Sequence, residues 1–423
     1  MNLKFSKWFF LLLIVLLPIV RPFSFFYSGL LISYADIIFI VSFFFWIAAL
    51  LRRETKIKYD KFYLFVGFYA LAFTVSTIFA DDPVQSLLKL SGEFYLFLLA
   101  VLTINLAQEQ KFIKQIVFAW LSGTGITVLG SILGFSLFYL GFNLETGGNY
   151  FLSRLGTVPP GNYPRVHSFF ADANMMCNFL NVSLLLALLA DKMGWVKETL
   201  SKLLRFGIWF AAFFTLSPGL GGIVLSTAVW YFVLFRDAGK LVLSKIVLLA
   251  GISFAAFLLA IATISLDTSN TDQDFLLPLT NITLESSVRV LVWQNSVNKS
   301  LENPFFGKGT GADVALVRYK TLAGTNHILM DGHNILLNIF GQTGLFGLIA
   351  FVCLVAHLIS RLRFTSGHYH TLLALSCAFL GAFLYQGLTG SFEDARHLWV
   401  VIGLIIVIST EMRHPAGKGR AGG

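Results

Sequence analysis

Apolar stretches alternate with polar connections along nearly the whole chain, at roughly 8–20, 28–51, 62–80, 86–106, 112–141, 173–190, 203–217, 218–235, 243–265, 333–360, 369–388 and 395–412. A helix needs about 20 residues to cross the hydrocarbon core. The pattern therefore predicts an all-α polytopic membrane protein of about twelve transmembrane helices, in a single transmembrane domain over residues 1–413. The stretch at 112–141 is long enough to tilt or break near Gly123 or Gly134. The first stretch follows Lys4 and Lys7 as a signal peptide would. It lacks a convincing cleavage site, so it is expected to stay as the first helix. Two connections are long, at about 143–172 and 267–332. Within the second, residues 284–301 place Leu284, Val288, Leu291 and Val292 at helical spacing, as in an amphipathic helix lying on the membrane surface. This outer loop is thus expected to contain short helices. The tail at 414–423 reads as disordered.

Composition supports this reading: 56% of the 423 residues are hydrophobic, 13% are charged and 44 are phenylalanine, with a mean hydropathy of +0.76. A soluble protein is excluded. The net charge of +9 does not point to nucleic acid, because the basic residues are spread between the apolar stretches. Alternate connections hold most of the 31 Lys and Arg, among them Arg52, Arg53, Lys56, Lys58 and Lys61, then Lys192, Lys197, Lys202 and Arg205. The positive-inside rule then puts both termini in the cytoplasm and the two long loops outside. Cys177, Cys353 and Cys377 lie in apolar stretches without metal-ligand spacing.

The outer face carries the candidate chemistry. Asp331-Gly332-His333-Asn334 opens the apolar run beginning at Ile335, and His333, Leu337, Phe340, Gly344 and Gly347 fall on one helical face. A histidine in the first turn meets the positive end of the helix dipole, which favours a neutral imidazole able to accept a proton. The two glycines would let a neighbouring helix approach closely. Arg165, Arg289 and Arg396 stand near outer ends of apolar segments, where the positive-inside rule gives no reason for them. Their guanidinium forks match the oxygens of phosphate and diphosphate. Outer carboxylates such as Asp172, Asp313, Asp331, Glu393 and Asp394 are scattered, so neither a metal nor another cofactor is expected. Gly307-Lys308-Gly309-Thr310-Gly311 imitates part of a nucleotide loop, but it follows Asn303-Pro304 with no preceding strand and reads as a turn.

The spacing His333-Asn334, nine residues, Gly344, two residues, Gly347 resembles the motif of the bacterial O-antigen ligase family. Other segments agree in order. Arg165 to Asn174 resembles its arginine-to-aspartate-proline-asparagine stretch, with Ala173 in place of proline. Arg289, Trp293 and Glu302-Asn303-Pro304-Phe305-Phe306-Gly307-Lys308-Gly309 resemble its central signature, and Phe392 to Arg396 before Trp399 fits its last outer turn. Leu216-Ser217-Pro218-Gly219 departs from it, since many relatives have Ser-Arg there. The resemblance implies a glycosyltransferase C-like architecture in the bacterial inner membrane, with a periplasmic active site. It implies an inverting, metal-independent transfer of a glycan from an undecaprenyl diphosphate carrier to an acceptor hydroxyl, foremost O-antigen ligation to lipid A-core. His333 and Arg289 would be catalytic. Arg165, Arg396, Asn334, Asn174 and Trp293 would bind the diphosphate or the acceptor. Polymerisation of O-antigen or exopolysaccharide from the same donor is the main alternative within the family, which also contains protein O-oligosaccharyltransferases. A secondary transporter of an anionic solute would also use many spans and outer arginines.

Overall fold

The computed structural model describes the chain apart from residues 22–23, 28–29, 141–151, 159–160, 268–274, 277–282, 287, 321–325, 366–368, 393–394 and 414–423. The expected disordered tail, Glu393 and Asp394 lie outside the described residues. The helices are α1 (Asn2–Leu16), α2 (Tyr34–Leu51), α3 (Phe62–Ile78), α4 (Pro83–Leu106), α5 (Gln110–Tyr139), α6 (Ala173–Lys192), α7 (Glu198–Phe213), α8 (Leu220–Asp237), α9 (Leu241–Thr263), α10 (Val288–Ser300), α11 (Ile335–Arg361), α12 (His370–Ala378) and α13 (Arg396–Arg413). Each apolar stretch of the sequence holds one of them, and α10 lies between stretches. Among the described residues, 8 helical segments are long and apolar enough to cross a membrane, so the chain is a multi-pass membrane protein.

The helices are not equally enclosed. In α6, 89% of the spanning window is buried inside the protein, against 17% in α9. The first is a central post, and the second packs on α8 and leaves most of its apolar surface to lipid. Several polar side chains in this interior are paired with one another, as an apolar medium favours. Trp120 Nε1 and Thr124 Oγ1 donate to Ser183 Oγ at 3.0 and 2.9 Å, and Trp120 stacks on Phe179 at 5.3 Å. Past α12 the helix widens into π turns over Phe379–Tyr385 and tightens into a 3-10 turn over Gln386–Leu388. Asn178 of α6 donates to the Ala382 carbonyl there at 2.6 Å. At the end remote from His333, buried Arg361 is held by Asp60 at 2.8 Å and by Thr410 at 3.1 Å.

Two expectations are corrected. The chain is not purely helical: antiparallel strands pair as β1 (Ser24–Tyr27) with β2 (Leu30–Ser33), β3 (Leu152–Val158) with β4 (Gly161–Val166), and β8 (Val317–Lys320) with β9 (Asn326–Leu329). A further small sheet has the order β5 (Ile264–Asp267), β7 (Thr283–Ser286), β6 (Phe275–Leu276). Among the described residues the 267–332 loop holds one helix, α10, with strands around it. Short hairpins give a long connection local partners for its backbone groups without a core of their own. Secondly, α5 runs unbroken through Gly123 and Gly134. A Cβ on Gly123 would lie 2.7 Å from the Val15 carbonyl oxygen, so this glycine permits contact with α1 and does not bend the helix. The break occurs instead in α11, at Gly344.

Candidate functional site

Strand β4 delivers Arg165 to the start of α6. The Val166 N–H donates to the Phe214 carbonyl at 2.8 Å, which ties the strand to the turn between α7 and α8. Arg165 Nε then donates to the Thr215 carbonyl at 2.8 Å and Nη2 to Asn174 Oδ1 at 2.7 Å. Ser217 Oγ donates to the same Asn174 oxygen at 2.8 Å. Asp172 caps α6 by accepting from the Asn174 N–H. The guanidinium is thus held by a turn, a side-chain amide and a helix start, with few rotamers left to it.

Arg289, the second residue of α10, comes within electrostatic reach of Arg165 and Asp172. Burial and then the Arg165 charge lower its pKa, and Asp172 acts in the opposite sense. An arginine remains a cation under such a shift. Two guanidiniums held together by distant segments repel each other, and an anion between them relieves that repulsion. Trp293 follows Arg289 by one helical turn, on the same face of α10. Its Nε1 is buried without a hydrogen-bond partner among the described residues.

His333 departs from its expected place. Helix α11 begins at Ile335, and Asn334 is its N-cap, so His333 precedes the cap with φ at 43°. That left-handed conformation is uncommon for a residue with a Cβ. It is secured from both sides: the His333 N–H donates to Asp331 Oδ1 at 2.6 Å, and Ser391 Oγ donates to the same oxygen. A Cβ on Gly332 would stand 3.5 Å from Ser296 Oγ and from Val314, so the turn packs close against α10. Ser296 follows Arg289 by two turns, so about 10 Å of helix separates the Gly332 contact from the arginine. Asn334 Oδ1 accepts from the Leu336 and Leu337 N–H groups at 3.0 and 3.3 Å, and Nδ2 donates to the Leu388 carbonyl at 3.3 Å. Asn334→Ala should cost about 1 kcal/mol of stability, read as a lower melting temperature, and Asn334→Ser should restore most of it. Loss of transfer in the serine variant at unchanged melting temperature would instead assign the amide to substrate.

A continuous path joins the Arg165 and His333 neighbourhoods. From Asn174 it runs through Ser217 to Gly219, whose carbonyl accepts from Gln386 Nε2 at 2.6 Å. The turn starting at Gln386 then meets α11, where Gly387 sits close beside Ile335 and Leu388 accepts from Asn334. Ser217 and Gln386 were not candidates in the sequence. Gln386 did carry a signal there, as an amide inside an apolar run. Arg396 is otherwise engaged: Nη2 donates to Asp36 Oδ2 at 2.8 Å, and the guanidinium lies 5.8 Å from the centre of the Tyr95 ring. Asp36 also closes a capping box with Ser33 at the start of α2.

The glycine-rich segment and Gly344 prove to be one device. Gly344 takes φ 65° and ψ −165°, a region open essentially to glycine alone, and the helical ladder of α11 is interrupted there. The freed groups are satisfied by the 304–309 turn. Leu345 and Phe346 N–H groups donate to the Pro304 and Phe305 carbonyls at 2.8 and 3.2 Å, while Lys308 and Gly309 donate to the Gly341 and Gln342 carbonyls at 3.0 and 3.1 Å. Gly311 donates to Gln342 Oε1 at 2.7 Å. These N–H groups are spent on α11, so the segment is no phosphate loop. The expected glycine face is corrected as well: Gly344 meets the Phe305 backbone and not a helix, and Gly347 faces Thr343 of its own helix.

Residues 203–352 match the model of the family described as O-antigen ligase. The match runs from within α7 through α10 into the N-terminal part of α11, and so contains Arg289, Trp293, His333 and Asn334. Arg165, Asn174 and Arg396 lie beyond it. No curated protein gives a significant match to the chain.

Proposed function

We propose, from the match of residues 203–352 to the O-antigen ligase family model, that the chain transfers a glycan from undecaprenyl diphosphate to an acceptor hydroxyl on lipid A-core. The observation that supports this reading is that the Arg165 charge acts on buried Arg289, whose helix α10 also packs near the turn in which His333 precedes the cap of α11. Breaking a sugar–diphosphate bond leaves charge on the diphosphate, and fixed cations stabilise it as it develops. In this reading the acceptor oxygen attacks the anomeric carbon, His333 takes the hydroxyl proton, and the carrier diphosphate departs held by the two arginines. With no covalent intermediate, the anomeric configuration inverts. Asn174 positions Arg165, and Trp293 offers an apolar wall with an indole N–H. The reaction is proposed as metal-independent.

The spread of basic connections supports a proposed orientation with this end in the periplasm and both termini in the cytoplasm of an inner-membrane protein of about twelve spans. Deleting the gene is expected to leave long carrier-linked polymer and lipid A-core without it. Lipid capped by a single repeat would identify a polymerase instead. In purified protein, Arg165→Ala and Arg289→Ala should each lower transfer by about 10²–10³ at normal abundance. Flux of an anionic solute into liposomes without any glycan donor would overturn the enzyme reading.

A further inference from the structure

A second recess lies between α6, α7 and α8, at the end of the protein remote from His333. It encloses about 250 Å³. From α7 it takes Lys202, Arg205, Phe206 and Trp209, at steps of three, one and three that keep them on one helical face. Thr227 and Tyr231 of α8 stand opposite, one turn apart, and Leu184 and Leu188 of α6 form the apolar floor. We infer that this recess holds the phosphate-bearing headgroup of an anionic phospholipid, whose acyl chains lie along the outer faces of α7 and α8.

The length of α7 explains the recess. Its 16 residues extend about 24 Å, short of the roughly 30 Å hydrocarbon core. Its other end is fixed by the Phe214 and Thr215 carbonyls beside Arg165, so the shortfall appears at the Glu198 end. There the first two turns are charged, and Arg205 sits about 10 Å into the helix, deeper than a hydrated headgroup layer would place it. A cation at that depth requires an anion or water, and Trp209 and Tyr231 are the side chains that favour the membrane interface. Phe206 is 73% exposed at the mouth, where acyl chains would cover it.

Charge selects the lipid. Lys202 and Arg205 are the charged residues lining the recess, and the end of α6, its connection to α7 and the first turns of α7 carry Lys192, Lys197, Lys202 and Arg205 against Asp191 and Glu198, a surplus of cations. Lys202 pairs with Glu198 at 2.6 Å, but both are largely exposed, and such a pair contributes little and opens readily. Arg205 contacts Asp191 at 3.4 Å and donates to the Ser201 carbonyl at 3.3 Å. Those contacts use part of its five-donor fork. Basic pockets between helices on the cytoplasmic side are suited to anionic headgroups, and a zwitterionic lipid would leave the surplus uncompensated.

The test uses the full-length protein in nanodiscs containing phosphatidylethanolamine and phosphatidylglycerol, with retained lipid read by native mass spectrometry. Phosphatidylglycerol should be retained about tenfold over phosphatidylethanolamine, and Lys202→Gln should reduce that preference about fivefold. Lys202 is exposed, so this variant folds. Lys202→Gln with Arg205→Gln should abolish the preference. Inorganic phosphate at millimolar concentration should not displace the lipid. Equal retention of the two lipids, an unchanged preference in Lys202→Gln, or displacement by inorganic phosphate would each overturn the assignment. Retention is read without glycan transfer, so the result stands apart from the proposed activity.

Discussion

His333→Asn is expected to lower glycan transfer by about 10²–10⁴, the range over which a positioned general base acts, while leaving the protein folded. Asparagine is the informative replacement because the backbone is left-handed at this position, with φ at 43°. Among residues with a Cβ, asparagine tolerates that conformation best. It can hydrogen-bond an acceptor hydroxyl but cannot take its proton. The Asp331 contact to the backbone N–H and the Asn334 cap are independent of the side chain at 333, so the helix start should survive. His333→Ala would confuse loss of the base with strain in the turn. Transfer should be measured with purified protein at saturating donor, beside a thermal melt. Wild-type rates in His333→Asn would remove the imidazole from the chemistry and leave only the two arginines in the proposal.

Gly344→Val should have the largest effect on folding. The backbone there, at φ 65° and ψ −165°, costs a residue with a Cβ about 1–3 kcal/mol. The new Cβ would also stand 2.4 Å from the Phe305 carbonyl carbon and oxygen. Backbone atoms cannot rotate away, so the 304–309 turn would have to leave α11. The N–H groups of Leu345 and Phe346 would then face apolar surroundings without partners, each at a cost of several kcal/mol. Folded yield in detergent should fall severely, with a lower melting temperature in whatever remains. Gly67→Ala is the control: nothing lies within 4 Å of its Cβ position in α3, and its melt should stay near wild type. Normal yield of Gly344→Val would mean that the break in α11 is not required.

Periodicity located the membrane-spanning core well, since each apolar stretch contains a helix and apolar length is a local property. It misplaced what depends on partners distant in sequence. The run from His333 reads as one continuous helix, because nothing nearby announces that Pro304 and Phe305 will satisfy the groups freed at Gly344. The hairpins β3–β4 and β8–β9 were overlooked because short strands without a core carry little hydrophobic pattern. Arg165 and Arg289 are recognisable in the sequence as cations outside the basic connections, but their order in the chain does not show that the charge of one acts on the other. Arg396 looked equivalent to them and is instead held by Asp36 and Tyr95.

The order of residues is enough to establish a helical multi-pass membrane protein and to single out Arg165, Arg289 and His333 at the ends of its apolar stretches. Hydrophobic length, charge placement and motif spacing are written residue by residue, so those conclusions need no partner. Packing of the chain is what places His333 ahead of its helix, sets the glycine-rich turn against the break in α11, and links the Arg165 and His333 neighbourhoods through Asn174 and Gln386. Each of these rests on a hydrogen bond or close contact between segments far apart in the chain, and such contacts exist only once the helices have packed.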